Sequence, residues 1–293
     1  MNWQQIVIEI GREPPGRAEA ACLALGAIAL SYGDAGDEAL LEPAPGETPL
    51  WNEVRLKALF AGSAEARVIA ATLTAVLALP DDAIHIEQVA DRVWEREWLR
   101  DFRPMRFGQR LWVCPAGQPP GDPAAVVVEL DPGLAFGTGT HVTTALCLEW
   151  LDGCGLEGRR MLDYGCGSGI LALAALALGA AGATAFDIDP QAITATRENA
   201  AKNALAGRLE VLQDASDIRG PFDVVVANIL AQPLVALAPR LAGHCRAGGA
   251  ILLAGMLGDQ GDEVARAYGP WFDMETAARR EAWITLAGRR RAE

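Results

Sequence analysis

From residue 161 onward the apolar positions fall in short runs separated by helix-length segments, and this alternation predicts a sheet wrapped by helices. Strands are expected over residues 161–164, 184–187, 209–213, 222–228 and 250–254, with two final strands around 272–277 and 282–287. Helices are expected over 170–179, 190–204, 233–245 and 260–268, the first of them built from uniformly small and apolar residues. Such alternation implies an α/β fold, a doubly wound, mainly parallel (Rossmann-like) sheet covered on both faces. In that architecture ligands bind at the carboxyl ends of the strands, near the point where the strand order reverses. Gly165, Asp187 and Asn228 all sit at such ends.

The first part of the chain reads differently. Strand-like and helix-like segments over residues 3–10, 17–30, 51–60, 64–79 and 83–89 suggest a small α+β domain, broken in the middle by the turn cluster at 42–47. The segment 91–100 follows, with Trp94 and Trp98 on one helical face and charges around them. It reads equally well as a linker helix, which would hold two domains about 15 Å apart, and as a surface helix with both tryptophans in a core. The expected organisation is a first domain over 1–88, a linker helix over 89–101 and a second domain over 102–293.

Composition narrows the partners. With 293 residues and 51% hydrophobic content the chain can bury one large and one smaller core. A formal charge of −13 argues against a nucleic acid backbone as the main partner and suits a basic protein better. The six cysteines show no C-x-x-C spacing and read as small apolar residues in a reducing compartment, with no metal site suggested. The first residues lack the pattern of a secretory leader, and no apolar run reaches about 18 residues. A cytoplasmic protein without membrane contact is expected.

The chemistry concentrates where the first strand of the second domain ends. Met161 to Gly169 reads M-L-D-Y-G-C-G-S-G, a short apolar run, an acid at Asp163 and a glycine turn that contains Gly165 and Gly167. Glycines here let the backbone approach a ligand, and the helix that follows presents N–H groups at its start. The next strand ends at Asp187, whose carboxylate can accept hydrogen bonds from two ribose hydroxyls. Two cofactor classes use this layout, and the spacing separates them. A dinucleotide fingerprint is G-x-G-x-x-G; the run here is the compact G-x-G-x-G. Asp189 precedes Pro190 and reads as a helix cap, not a ligand, and Asp214 reads as a residue of a solvated loop.

The compact glycine turn resembles the first motif of class I methyltransferases, and longer motifs make the resemblance specific. D-P-G-L-A-F-G-T-G-T-H-V-T-T at 131–144, F-D-I-D-P-Q-A-I at 186–193 and V-V-A-N-I-L-A-Q-P-L at 225–234 are similar to the bacterial PrmA methyltransferases. So are W-E-R-E-W at 94–98, P-M-R-F-G-Q-R-L-W at 104–112 and P-G-E-T at 45–48. The resemblance covers nearly the whole chain. It implies a ferredoxin-like substrate-recognition domain, a linker helix and a class I methyltransferase domain. The implied substrate is large-subunit ribosomal protein eleven, methylated on lysine side chains and the N-terminal α-amine by a monomeric enzyme with no direct nucleic acid contact. S-adenosyl-L-methionine is the implied cofactor and S-adenosyl-L-homocysteine the product. The implied cofactor contacts are Thr144, Gly165, Gly167, Asp187 and Asn228, and His141 and Thr144 would border the acceptor with Asn228.

An amine must lose its proton before it can attack. For a lysine of pKa near 10.4 this costs about 4.6 kcal/mol at pH 7, for an α-amino group only about 1 to 1.4 kcal/mol. The Asn228 carbonyl could accept an N–H bond and aim the lone pair. The sequence after it, Asn228-Ile229-Leu230-Ala231, lacks the Pro-Pro-aromatic that stacks a planar base, which suits a flexible aliphatic amine. Three other readings stay open: a methyltransferase of another protein or a small amine, a nicotinamide-dependent oxidoreductase, and a non-catalytic adaptor that binds through residues 1–88.

Overall fold

The computed structural model describes residues 3–36, 49–62, 65–89, 103–130 and 139–292. The chain divides into two compact units, Met1–Trp94 and Glu95–Glu293. The expected linker helix, with Trp94 and Trp98, lies outside the described residues apart from Val89, as do residues 131–138 and 45–48 of the motifs above.

In the first unit the elements run β1 (Trp3–Gly11), α1 (Gly16–Ala24), β2 (Ala29–Asp34), β3 (Val54–Ala61), α2 (Ala66–Leu77) and β4 (Ile84–Val89). The strands pair antiparallel in the order β2-β3-β1-β4, the ferredoxin-like arrangement. Period-two burial produces it. Ile6, Ile8 and Ile10 of β1 and Leu56, Ala58 and Phe60 of β3 share one face, where Cys22 of α1 and Leu73 of α2 close the core. The expected single segment 17–30 is two elements, because Gly26 takes a φ of 90° and turns the chain between α1 and β2.

The second unit opens with β5 (Met105–Phe107), β6 (Leu111–Cys114) and β7 (Val126–Glu129), a three-stranded sheet. Then come α3 (Val142–Gly153), β8 (Arg160–Tyr164), α4 (Ile170–Ala177), β9 (Gly182–Phe186), α5 (Pro190–Lys202), β10 (Leu209–Leu212) and β11 (Phe222–Asn228). α6 (Ala231–His244), β12 (Cys245–Leu257), α7 (Gly261–Tyr268), β13 (Phe272–Arg280) and β14 (Trp283–Arg290) complete it. The seven-stranded sheet has the order β10-β9-β8-β11-β12-β14-β13. β8 to β12 pair in parallel, and β14 pairs antiparallel with both β12 and β13. Neighbouring residues of β11 serve opposite layers. Val224 and Val226 pack with α3, α4 and the small sheet, Val225 and Ala227 with α6 and α7. Both faces are covered, and for that reason the strands read as apolar runs.

Several element ends differ from the pattern. β12 runs well beyond 250–254 at both ends, with its register against β14 shifting between Leu253 and Met256. α6 starts at Ala231 rather than Pro233, since a first turn tolerates proline. The basic residues after β14's start are tied into the sheet: Arg290 Nη1 donates to the Cys245 carbonyl at 2.9 Å and Arg291 Nε to Asp273 at 2.7 Å.

Candidate active site

The strand order reverses between β8 and β11, and the chain segments leaving β8, β9 and β11 at their carboxyl ends meet there. The glycine turn leaves β8, Asp187 follows β9, Asn228 ends β11, and α3 brings Thr144. Thr144, Gly165, Gly167, Asp187 and Asn228 line one cavity of about 530 Å³, within the range of roughly 300–1,000 Å³ of small-molecule sites. The structure therefore brings together all five residues expected around a cofactor.

The turn is held from inside. Gly165 has a φ of 83°, and a Cβ there would overlap the Ile229 side chain. The Gly165 and Cys166 N–H groups donate to the Phe186 carbonyl at 2.8 and 3.0 Å, and the Gly169 N–H to Cys166 at 2.8 Å. The Gly167 N–H donates to Asp187 Oδ2 at 2.9 Å, while Asp187 Oδ1 accepts from the Asp189 N–H at 3.0 Å. Asp187 is thus aimed by two backbone donors, and each of its oxygens keeps a lone pair for a hydroxyl. Asp189 in turn caps α5, accepting from the Gln191 N–H at 2.9 Å. Asp214 accepts from the Ser216 N–H at 2.8 Å, which lowers its pKa, and it does not line the cavity.

Behind the turn, Asp163 is fully buried. Its Oδ2 accepts from the Ala172 N–H of α4 at 3.0 Å, and its Oδ1 has no hydrogen-bond partner among the described residues. Burial pushes its pKa up to about 7, with the nearby Asp187 adding to the shift. Burial also pushes the Cys166 thiol up, so this cavity-lining cysteine stays a neutral side chain. Asn228 Nδ2 donates to Thr144 Oγ1 at 3.3 Å, which leaves the Asn228 carbonyl oxygen as the acceptor of that amide. His141 is the N-cap of α3, its Nδ1 against Thr143 Oγ1 at 2.8 Å, and its ring packs edge-on against Trp283. It does not line the cavity with Thr144 and Asn228.

Ile188 and Leu230 are residues that sequence reasoning missed. They follow Asp187 and border Asn228's loop at the cavity, and they are 79% and 51% exposed. Both are apolar where loops leave strands, which is the signal that could have found them. No lysine or arginine is among the described residues that line the cavity, and Asp187 is its charged side chain.

A doubly wound sheet of this order, with a nucleoside-sized crevice and an acid after its second strand, defines a class I methyltransferase fold. The crystal structure of the ribosomal protein L11 methylase from Lactobacillus delbrueckii subsp. bulgaricus superposes with a TM-score of 0.60 at 33% identity, over 65% of this chain and 100% of that one. The family described as "Ribosomal protein L11 methyltransferase (PrmA)" matches residues 2–291, and the chain belongs to it. The Ribosomal protein L11 methyltransferase of Pseudomonas paraeruginosa is 49% identical over 296 residues, covering 100% of both chains. That of Methylococcus capsulatus is 50% identical over 293 residues, covering 99% of both.

Proposed function

We propose that this protein transfers methyl groups from S-adenosyl-L-methionine to amino groups of ribosomal protein L11, namely lysine side chains and the N-terminal α-amine. The observation that carries the cofactor class is the inward commitment of the glycine turn: its N–H groups at Gly165, Cys166, Gly167 and Gly169 all bond within the protein. A pyrophosphate draws on such donors, and no lysine or arginine is among the described residues that line the cavity, which disfavours a nicotinamide dinucleotide. A nucleoside needs an acceptor for its ribose and apolar walls for its base. Asp187 supplies the first, and Ile188, Leu230 and Phe186 the second.

S-adenosyl-L-methionine supplies a methyl group already activated on a sulfonium, and S-adenosyl-L-homocysteine remains after transfer. What is left to the protein is orientation and desolvation. Asp187 holds the ribose, Gly165 and Gly167 let the backbone approach, and the negative charge of Asp187 favours a cationic ligand. Asn228, with its N–H₂ engaged by Thr144, turns its carbonyl oxygen to an amine N–H and aims the lone pair. Thr144 borders the acceptor from the first turn of α3, while His141 caps that helix outside the cavity.

Residues 1–88 act as the substrate-recognition domain and 89–101 as the linker to the catalytic domain. The formal charge of −13 favours a basic protein partner over nucleic acid. No described helix is long and apolar enough to cross a membrane. Mass spectrometry of purified ribosomal protein L11 after incubation with enzyme and methyl donor tests the proposal. Mass gains in whole methyl steps on lysines or the N-terminus are expected; an unmodified substrate would remove it.

A further inference from the structure

Resting on the amine-methyltransferase reading, a contact at the start of α3 gains a role. The His141 ring meets the Trp283 indole edge-on, with centroids 4.9 Å apart and planes at 75°. Trp283 opens β14 at the tip of the β13–β14 hairpin, where Glu281 takes a φ of 55°. From the same tip, Arg280 Nη2 donates to both carboxylate oxygens of Glu149 on α3, at 3.0 and 2.8 Å. The hairpin therefore grips α3 at two levels roughly two turns apart.

The grip matters because of how Thr144 is held. Thr144 lies on the first turn of α3, and the hydrogen bond from Asn228 that reaches it across the site is long, at 3.3 Å. A bond of that length does not place a helix. The Arg280–Glu149 pair is 44% and 35% exposed at its two side chains, so water screens it. Ring packing between His141 and Trp283 is directional and is not screened in this way. We infer that Trp283 is a positioning residue for methyl transfer: by holding the His141 ring it fixes the first turn of α3, and with it the Thr144–Asn228 pair on the acceptor side.

The test compares Trp283→Leu, Trp283→Phe, His141→Ala and the Trp283→Leu/His141→Ala double variant of the full-length enzyme. Single-turnover transfer to ribosomal protein L11 is measured at saturating cofactor, with the cofactor Kd and amide hydrogen exchange over residues 142–146. Trp283→Leu should slow transfer by about tenfold or more and speed exchange in that turn, with the Kd changed less than about threefold, since small misplacements of reacting groups are costly. Trp283→Phe keeps a ring against His141 and should retain most of the rate. The double variant should be no slower than the slower single, because both remove one contact. A near-normal rate in Trp283→Leu, multiplying losses in the double variant, or a Trp283→Phe as slow as Trp283→Leu would overturn the assignment. If Trp283→Leu does not fold, Trp283→Phe against His141→Ala decides the same point. If the wild-type enzyme leaves L11 unmethylated, the activity reading falls, while the exchange data still show whether Trp283 holds α3.

Discussion

Asp187 is held by two backbone N–H groups and lines the cavity, so its removal should be felt by the cofactor and little by the fold. Asp187→Ala is expected to weaken S-adenosylmethionine binding by roughly 1.5–3 kcal/mol, the size of hydrogen bonds to a charged group; calorimetry giving an unchanged Kd in a folded variant would take Asp187 out of the site. Asn228→Ala should lower the transfer rate at saturating cofactor by about 10²-fold, more than its loss of affinity explains, because orientation is the term it supplies. A near-normal saturated rate would make Asn228 a binding residue alone. Asp163 predicts a pH effect on stability. Burial raises its pKa to about 7 from 3.8, so the folded state favours the protonated acid. Its contribution is complete below pH about 4 and is lost as the pH rises through about 7. Asp163→Asn keeps an acceptor for the Ala172 N–H and removes the titration. The variant should therefore gain on wild type by on the order of 2–3 kcal/mol between pH 5 and pH 8 in cofactor-free urea unfolding. Parallel profiles would mean that Asp163 does not titrate in that window.

At the scale of elements, the junction between β11 and β12 positions Asn228. Gly255 has a φ of 88°, and a Cβ there would overlap the backbone of Ile229, while the Ile229 N–H donates to the Ala254 carbonyl at 3.1 Å. Gly255→Ala thus adds steric displacement to the usual left-handed penalty of roughly 1–2 kcal/mol. Gly26→Ala, at a φ of 90° with open space around it, meets only that penalty. Thermal melts and cofactor titrations of the two should differ: Gly255→Ala loses affinity as well as stability, Gly26→Ala stability alone. Equal cofactor affinity in both would mean that the β11 end yields without moving Asn228. The elements that sequence patterning revealed are those whose burial repeats over a full strand or several helical turns, such as β11 and α5. β5, β6 and β7, at three or four residues each, are too short for any period to show. Gly255 was invisible for a different reason: its constraint comes from Ile229, in the loop just after β11.

For the whole molecule, the two units have separate cores, one in residues 1–94 and two flanking the large sheet, and every described residue lining the candidate site belongs to the second unit. Deleting residues 1–88 should leave S-adenosylmethionine binding intact and abolish methylation of ribosomal protein L11. Full activity of the soluble truncated protein on L11 would refute a recognition role for the first domain. The sequence by itself determined the two-domain plan, the doubly wound sheet and the places of Gly165, Asp187 and Asn228 at strand ends, because strand ends and glycine turns are set by neighbours in the chain. The direction of the turn's N–H groups, the raised pKa of Asp163 and the meeting of His141 with Trp283 were decided only by tertiary structure. Each depends on groups far apart in sequence, packed by the burial of a sheet on both its faces, and local pattern carries no record of such distances.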